Sequence, residues 1–298
     1  NMRENPDIHN HASRLEKLKA DLKESSEILE SNKKLILDFS DNCLAEGISA
    51  GRVIKYISTL KNLSKLFGKP FSEVNKQDVI KVVLKIEQSD YSEWTKKDYK
   101  LALKKFFKWL RQSEYYPEEV RWLKASVKNE KKLLPEEILT EEDVKRIASV
   151  ALNPRDKALV LTLYETGARI GEFLGMKIKH IVEPSDGFGK IIVLNGKTGL
   201  RRIRIVASKQ DLIEWLNIHP FKNDPEAFVW ISLGNRNRFK PLSYNAVNNI
   251  LNELAKRAGV KKKVNPHAFR HARATHLATK LTEQQLKQFF GWVQSSDM

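Results

Sequence analysis

Apolar residues recur every three or four positions over most of residues 10–125, and this spacing predicts amphipathic helices. The predicted helices lie near residues 12–30, 33–46, 49–67, 75–88 and 94–113. No alternating run typical of a strand interrupts them. We therefore expect the first part of the chain to be entirely helical.

The pattern changes after a charged, proline-bearing segment at 126–139, which is typical of an interdomain linker. Thr140 and Asp143 then form the sequence of a capping box, which predicts that a new helix begins there. Further helices are predicted near 140–151, 154–166, 169–177, 208–218 and 243–258, with two more at the end of the chain and a short apolar stretch at 228–231. β-Branched runs at 190–196 and 201–206 flank a glycine-containing turn and predict a β-hairpin.

These patterns predict a mainly α protein of the α+β class with two domains. The first is a helical domain at 1–133, including a flexible N-terminal segment, and the second, at 134–298, combines helices with a small antiparallel β-sheet. A chain of 298 residues is long enough for two such cores. No apolar window is long enough to cross a bilayer, so no membrane contact is expected. A single cysteine and the lack of a targeting pattern indicate a cytoplasmic protein.

The charge of the chain indicates its partner. Lysine and arginine total 53 against 37 acidic residues, a net charge of +16, and such an excess attracts polyanions. Nucleic acid is the expected ligand. A charge-rich thermophile surface is the alternative, but it would not explain the excess of one sign.

One helix carries this charge in a regular stripe. At helical spacing four lysines of the segment 94–113 lie opposite its apolar face: Lys97, Lys100, Lys104 and Lys108. The stripe is predicted to bind DNA phosphates, with an ordinary solvated face as the alternative.

Two arginines in the second half lie in apolar surroundings, where a guanidinium is costly unless it is paired. Arg169 follows Gly167 in the sequence LTLYETGARIGEFLGM, and Glu172 is a candidate structural partner. Arg270 lies in NPHAFRHARATH, three residues after His267. If Arg169 and Arg270 meet, one phosphate is their natural shared ligand.

Other residues near these arginines offer proton transfer but no metal site. His267 could donate a hydrogen bond or move a proton, and Lys197 at the hairpin tip could protonate a departing alkoxide. His271 and His276 share the helix with His267, but no cysteine or carboxylate cluster completes a metal site. We expect neither a metal nor a cofactor.

Two motifs resemble those of the tyrosine recombinases, the family of phage-type integrases. TGARIGEFLGM is similar to the first motif, and PHAFRHARATHLA is similar to the second, an H-x-x-R motif. The segment LTEQQLKQFFGWVQSSDM is most similar to archaeal plasmid and virus integrases, which carry Gly-Trp where Xer-type proteins carry Gly-His. The similarity is strong from about residue 140 onward, whereas 1–133 is similar to the core-binding domain mainly in size and helix number.

The resemblance implies roles for individual residues. Arg169 and Arg270 would clamp the scissile phosphate, and His267 would assist proton transfer. Lys197 would be the general acid, and Trp292 would contact the phosphate. Glu172 would orient the site, whereas His271 and His276 are expected to brace their helix internally.

The chain departs from the family pattern at the nucleophile, a tyrosine expected about ten residues after Trp292. None of the seven tyrosines in these 298 residues follows Trp292. We expect that the tyrosine lies beyond residue 298, or that the protein is catalytically inactive. Tyr244 lies before the H-x-x-R motif and is not expected to replace it.

The resulting prediction is a site-specific DNA recombinase, an integrase of a mobile element such as an archaeal plasmid or virus. It would cleave and rejoin attachment sites in double-stranded DNA through a 3′-phosphotyrosyl intermediate, as a homotetramer associated with the nucleoid. The alternatives are an inactive integrase-derived DNA-binding protein, a type IB topoisomerase and a helical scaffold protein.

Overall fold

The computed structural model describes residues 7–127, 134–196 and 199–292. The chain divides into two compact units. Residues 10–127 form the unit that we call the helical unit, and residues 134–292 together with 7–9 form the one that we call the mixed unit.

The described part of the helical unit is built from α-helices. They are α1 (His11–Glu24), α2 (Glu30–Ala45), α3 (Ala50–Phe67), α4 (Lys76–Gln88), α5 (Glu93–Leu110) and the single turn α6 (Glu118–Arg121). Phe106 of α5 lies at the centre of the core, with its ring 4.8 Å from that of Phe71 and 5.3 Å from that of Phe39. Apolar residues spaced at helical intervals thus meet in one cluster.

The helix predicted at 12–30 is two elements in the structure. Helix α1 ends at Glu24, and Ser25 takes an extended conformation with φ −65° and ψ 122°. Adjacent serines compete with the helix for backbone hydrogen bonds, which favours a break there. Ile28, after the break, is buried in the core.

The mixed unit surrounds a small sheet with helices. Its helices are α7 (Glu141–Ser149), α8 (Pro154–Thr166), α9 (Ile170–Leu174), α10 (Lys209–Asn217), α11 (Tyr244–Arg257), α12 (Pro266–Ala278) and α13 (Glu283–Phe290). The strands β1 (Ile181–Val182), β2 (Lys190–Gly196) and β3 (Gly199–Ile205) form an antiparallel sheet in the order β1-β2-β3. The fold class and the hairpin predicted from the sequence are confirmed.

Local signals explain how the helices of the mixed unit begin and end. Thr140 accepts a hydrogen bond from the Asp143 amide, and Asp143 accepts one from the Thr140 amide, which is the expected capping box. Helix α9 is shorter than the predicted 169–177, because it ends before Gly175. The apolar stretch 228–231 contributes isolated bridges to Lys177 and Pro241 rather than a strand.

The core of the mixed unit also includes the start of the described chain. Ile8 is buried there, and its carbonyl accepts a hydrogen bond of 2.9 Å from the Tyr244 amide. The domain predicted at 1–133 includes residues 7–9, whereas in the structure these residues belong to the mixed unit.

Helix α9 is anchored in the same core. The ring of Phe173 stacks on that of Trp230, with their centres 4.7 Å apart.

Within the described residues, no helix combines the length and apolar character that crossing a bilayer requires.

Candidate active site

A sharp turn between α8 and α9 places Arg169. Gly167 ends α8 in the left-handed conformation, with φ 53°, and its amide donates to the carbonyls of Leu163 and Tyr164. Arg169 is the extended residue that precedes α9, with φ −65° and ψ 139°. Gly167 also has a packing reason to be glycine, since a Cβ there would lie 2.5 Å from Cε1 of Phe290.

Glu172 folds back onto this turn. Its Oε2 accepts a hydrogen bond of 3.1 Å from the Arg169 amide, and its Oε1 accepts one of 3.3 Å from Nη1 of Arg169. The structural pairing that the sequence offered as an alternative for Arg169 is therefore present, but it is not the strongest pairing of Glu172. Arg201 of β3 donates to the same oxygens from Nη1 at 3.0 Å and from Nη2 at 2.5 Å.

The environment of Glu172 keeps it ionised. Burial works to raise its pKa, but the hydrogen bonds and charge of Arg201, with smaller contributions from Arg169, outweigh burial and hold the pKa below the usual value. The site therefore contains a fixed carboxylate flanked by two guanidiniums.

Arg270 enters the site from α12. Asn265 caps this helix by accepting a hydrogen bond of 2.8 Å from the Ala268 amide. One turn later the buried Arg270 donates from Nη1 to the Gly167 carbonyl at 2.7 Å and from Nη2 to the Phe290 carbonyl at 2.8 Å. Its guanidinium also lies 5.0 Å from the centre of the Phe290 ring.

Arg169 and Arg270 converge on the end of α13. Arg169 donates from Nη1 to the Phe290 carbonyl at 3.4 Å and from Nη2 to the Gly291 carbonyl at 3.2 Å. The side chain of Arg169 remains 33% exposed, so an anion can reach it from solvent. Trp292 follows directly, and its ring stacks on Phe290 at 4.9 Å.

Of the two proton-transfer candidates, the structure describes His267 alone. His267 is exposed on α12, one turn before Arg270 and on the same helix face. Lys197 lies outside the described residues. Gly196, the residue before it, pairs with Gly199 across the hairpin and packs so tightly against Glu172 that a Cβ would overlap the carboxylate.

The other two histidines of α12 differ from the expectation that both brace the helix. His276 is half-buried, and its Nδ1 lies 3.6 Å from the Glu141 carboxylate. His271 is exposed, because its position on α12 faces away from the core. Arg273 instead links α12 to α8, because its Nε donates a hydrogen bond of 3.1 Å to the Glu165 carbonyl.

Helix α5 of the helical unit only partly presents the predicted lysine stripe. Lys100 is buried, and its Nζ lies 2.5 Å from the Glu87 carboxylate, so it is withdrawn from the charged face. Lys97 and Lys104 are half-buried, with their ammonium groups 4.7 Å and 4.4 Å from the rings of Trp94 and Tyr116. Lys108 is exposed.

Sequence reasoning missed two charged residues that organise the site. Arg201 shares an alternating face with the buried Ile203 and Ile205, and that alternation could have placed it inward. Glu165 is buried and accepts four hydrogen bonds of 2.7–3.0 Å from the segment 206–208, which ties α8 to the end of the hairpin. No periodicity signal distinguishes Glu165, because its partners are backbone amides and one hydroxyl distant in the chain.

Comparison with known proteins identifies relatives. Residues 137–297 match the model of the phage integrase family. The chain is 33% identical over 260 residues to the tyrosine recombinase XerA of Pyrococcus horikoshii, covering 86% of this chain and 83% of that protein.

Solved structures share the fold. A lambda integrase tetramer bound to a Holliday junction has a TM-score of 0.68 and 16% identity, covering 89% of this chain and 78% of that one. The XerH site-specific recombinase bound to difH substrate, in a pre-cleavage complex, has a TM-score of 0.63 and 17% identity, covering 97% and 92%. At these identities the likeness shows the fold alone.

Proposed function

Because the chain belongs to the phage integrase family of tyrosine recombinases, we propose that it is a site-specific DNA recombinase acting through a 3′-phosphotyrosyl intermediate. The observation that carries the proposal is the meeting of Arg169 and Arg270 at the Phe290 carbonyl. Two planar cations side by side suit the two non-bridging oxygens of a phosphodiester.

The chemistry requires charge neutralisation and two proton transfers, one away from the attacking tyrosine and one to the departing 5′ oxygen. A tyrosine oxygen attacks phosphorus, the bond from phosphorus to the 5′ oxygen breaks, and the phosphate remains joined to the protein. Arg169 and Arg270 stabilise the negative charge that grows on the five-coordinate phosphorus. Lys197 gives its proton to the departing 5′ oxygen. His267 accepts the proton that the tyrosine hydroxyl loses and, once protonated, hydrogen-bonds to the phosphate. Attack by a 5′-hydroxyl reverses these steps and rejoins DNA without an external energy source.

Glu172 and Trp292 support this clamp. Glu172 fixes the backbone and guanidinium of Arg169 through the hydrogen bonds described above. Trp292 stacks on Phe290, whose carbonyl both arginines share, and its indole N–H is the proposed further phosphate contact.

The nucleophile of this proposal is a tyrosine that follows Trp292 in the complete protein. The alternative is an integrase-derived DNA-binding protein without catalysis. The two differ in one product, since only the recombinase forms a covalent bond to DNA.

The helical unit is the proposed core-binding domain, which would bind the duplex through its basic surface. Of the predicted stripe, Lys97, Lys104 and Lys108 are proposed phosphate contacts, and Lys100 is not, because it is buried against Glu87. The net charge of +16 supports a large electrostatic contribution to binding.

Assembly and origin follow from the same proposal. A homotetramer on paired attachment sites is the proposed active form, supported by the tetramer that lambda integrase forms on a Holliday junction. A nucleoid-associated, cytoplasmic protein of an archaeal mobile element, plasmid or virus, is the proposed context. The XerA similarity and the Gly291-Trp292 pair support the archaeal part.

The test uses the complete protein and a duplex recovered from a random pool by binding selection. A nick placed near the scissile position lets the freed strand diffuse away, which traps the covalent product. A protein–DNA adduct that survives denaturation and is lost on protease treatment is the expected result. Binding without any adduct would instead support the inactive alternative.

A further inference from the structure

Arg201 of β3 has no role in the reaction described so far, yet it makes the strongest contact of Glu172. Its two terminal nitrogens bind the two carboxylate oxygens, at 3.0 and 2.5 Å, in bidentate geometry. The side chains of Arg201 and Glu172 are only 9% and 4% exposed. A buried pair of this geometry fixes the position of both partners.

The carboxylate held by Arg201 lies between two parts of the proposed active site. On one side it accepts hydrogen bonds from the amide and the guanidinium of Arg169. On the other side it packs directly against Gly196, the residue before Lys197. Glu172 therefore contacts both the turn that carries the phosphate clamp and the base of the hairpin tip.

The distances rank the two arginines that share this carboxylate. Arg201 binds Glu172 more closely than Arg169 does, whose Nη1 remains 3.3 Å away. If Arg201 were removed, Glu172 would lose its bidentate partner, and among the described residues Arg169 would be the cation still bonded to its carboxylate. The guanidinium of Arg169 would then turn toward Glu172 and away from an incoming phosphate.

We propose that Arg201 is a positioning residue: by holding and neutralising Glu172, it keeps Arg169 directed at the scissile phosphate and fixes the hairpin base beside it. This inference rests on the proposed recombinase function. Arg201 itself does not contact the phosphate, so its effect is exerted through Glu172 and Arg169.

The experiment measures single-turnover cleavage of the selected, nicked duplex by the complete protein at saturating DNA. Arg201→Gln is expected to slow cleavage about tenfold to hundredfold, less than the direct loss of a transition-state donor. Arg201→Lys is expected to be intermediate, because lysine keeps the charge but cannot form the bidentate bond.

A second substrate separates positioning from general damage. Replacing one non-bridging oxygen of the scissile phosphate by a methyl group removes its negative charge, so a misdirected Arg169 matters less. The deficit of Arg201→Gln should therefore shrink to about threefold or less on this methylphosphonate. A variant that is merely unstable would be slowed equally on both substrates.

Arg204→Gln is the matched control, because Arg204 lies on the same strand and pairs with Asp186 at the surface. It removes the same charge and should cleave within about twofold of the unmodified protein. Gly196→Ala tests the same geometry independently, since its Cβ must displace the Glu172 carboxylate. It should reproduce the substrate dependence of Arg201→Gln even if that variant fails to fold.

Two failures are distinguishable. If the unmodified protein forms no adduct, the proposed function is wrong. If it does, and Arg201→Lys and Gly196→Ala cleave at its rate or lose equal activity on both substrates, only the role of Arg201 is overturned.

Discussion

Arg169 and Arg270 lie far apart in the sequence, yet both donate hydrogen bonds to one acceptor, the carbonyl oxygen of Phe290. The first arginine lies in the turn before α9 and the second lies in α12. Their shared acceptor holds the two guanidiniums adjacent without a ligand, which would reduce the reorganisation needed for the proposed binding of a phosphate.

Replacing either arginine of this clamp by lysine should impair chemistry more than binding. A lysine keeps the charge but loses the planar pair of donors, so Arg169→Lys and Arg270→Lys should each slow cleavage about 100- to 1000-fold. DNA affinity in a gel-shift titration should change little. Arg257→Lys, at an exposed pair with Glu253, is the control. Unchanged cleavage in both clamp variants would remove them from the site.

Lys197 is proposed to protonate the 5′ oxygen, and this can be tested by changing the leaving group. Lys197→Ala should slow cleavage about 100-fold or more, the usual contribution of a general acid. A substrate with sulfur in place of the 5′ oxygen needs no proton to depart, so the variant should cleave it at nearly the unmodified rate. A deficit that persists with sulfur would contradict the assignment.

Gly167 and Gly259 form a matched pair, because each lies at the C-terminal end of an α-helix and has a left-handed backbone conformation. Gly167 has φ 53° and a Cβ there would press on Phe290, whereas Gly259 has φ 66° and open space around it. Gly259→Ala should lower the unfolding free energy by about 1–2 kcal/mol from backbone strain alone. Gly167→Ala should cost about 2–4 kcal/mol, because overpacking is added. If urea denaturation gave both variants the same loss of unfolding free energy, Phe290 would be shown to move aside without an energetic penalty.

Lys100 and Lys108 lie on one helix, but substituting them should affect different properties of the protein. Lys100→Gln removes a buried ion pair with Glu87 and should lower the melting temperature of the protein. Lys108→Gln should instead weaken DNA binding and reduce the slope of log affinity against log salt by about 1. The prediction fails if Lys100→Gln reduces that salt slope and leaves the melting temperature unchanged.

Asp143 should make the mixed unit sensitive to acid. Burial alone would raise its pKa, but hydrogen bonds from Lys262, Thr140 and Arg146 outweigh burial and hold the pKa well below its usual range. A lowered pKa means that the stabilisation is complete above the unfolded value of about 4 and is lost as the pH falls through the folded value.

Urea unfolding at several pH values checks this expectation. Asp143→Asn should be less stable than the unmodified protein by about 1–3 kcal/mol at neutral pH. The difference should narrow below about pH 4, since the unmodified protein loses the Asp143 contribution there and the variant lacks that contribution at every pH. Glu142→Gln, at an exposed neighbour, is the control. A difference that stays constant with pH would contradict the role of Asp143.

The elements that sequence predicted well are those with a strong local signal. The hairpin followed from alternating β-branched residues, and α7 from the capping pair Thr140 and Asp143. The apolar surroundings of Arg169 and Arg270 indicated that each guanidinium needs an acceptor, but their meeting was only a condition of the argument, and the structure shows both at one carbonyl. The acceptor itself, the Phe290 carbonyl, could not be inferred, since backbone groups leave no mark in the sequence.

The sequence-based predictions fail where a residue's partner comes from another element, because such partners have no fixed spacing along the chain. Lys100 matches the stripe of Lys97 and Lys108, and only the approach of Glu87 from α4 removes it. Likewise, a pair such as Arg201 and Glu172 depends on how β3 is placed beside α9. Helical and strand periodicity determine which face a residue occupies, but not which neighbour covers that face.

The shared carbonyl at the end of α13 also bears on how the protein is made. Ribosomes deliver the turn at Arg169 and the helix of Arg270 before they deliver Phe290 and Gly291, so a nascent chain first lacks two carbonyls to which these guanidiniums donate. Most of the basic surface emerges earlier. Synthesis therefore passes through a stage in which the turn of Arg169 and the helix of Arg270 are present, while the acceptor that both guanidiniums share has still to be made.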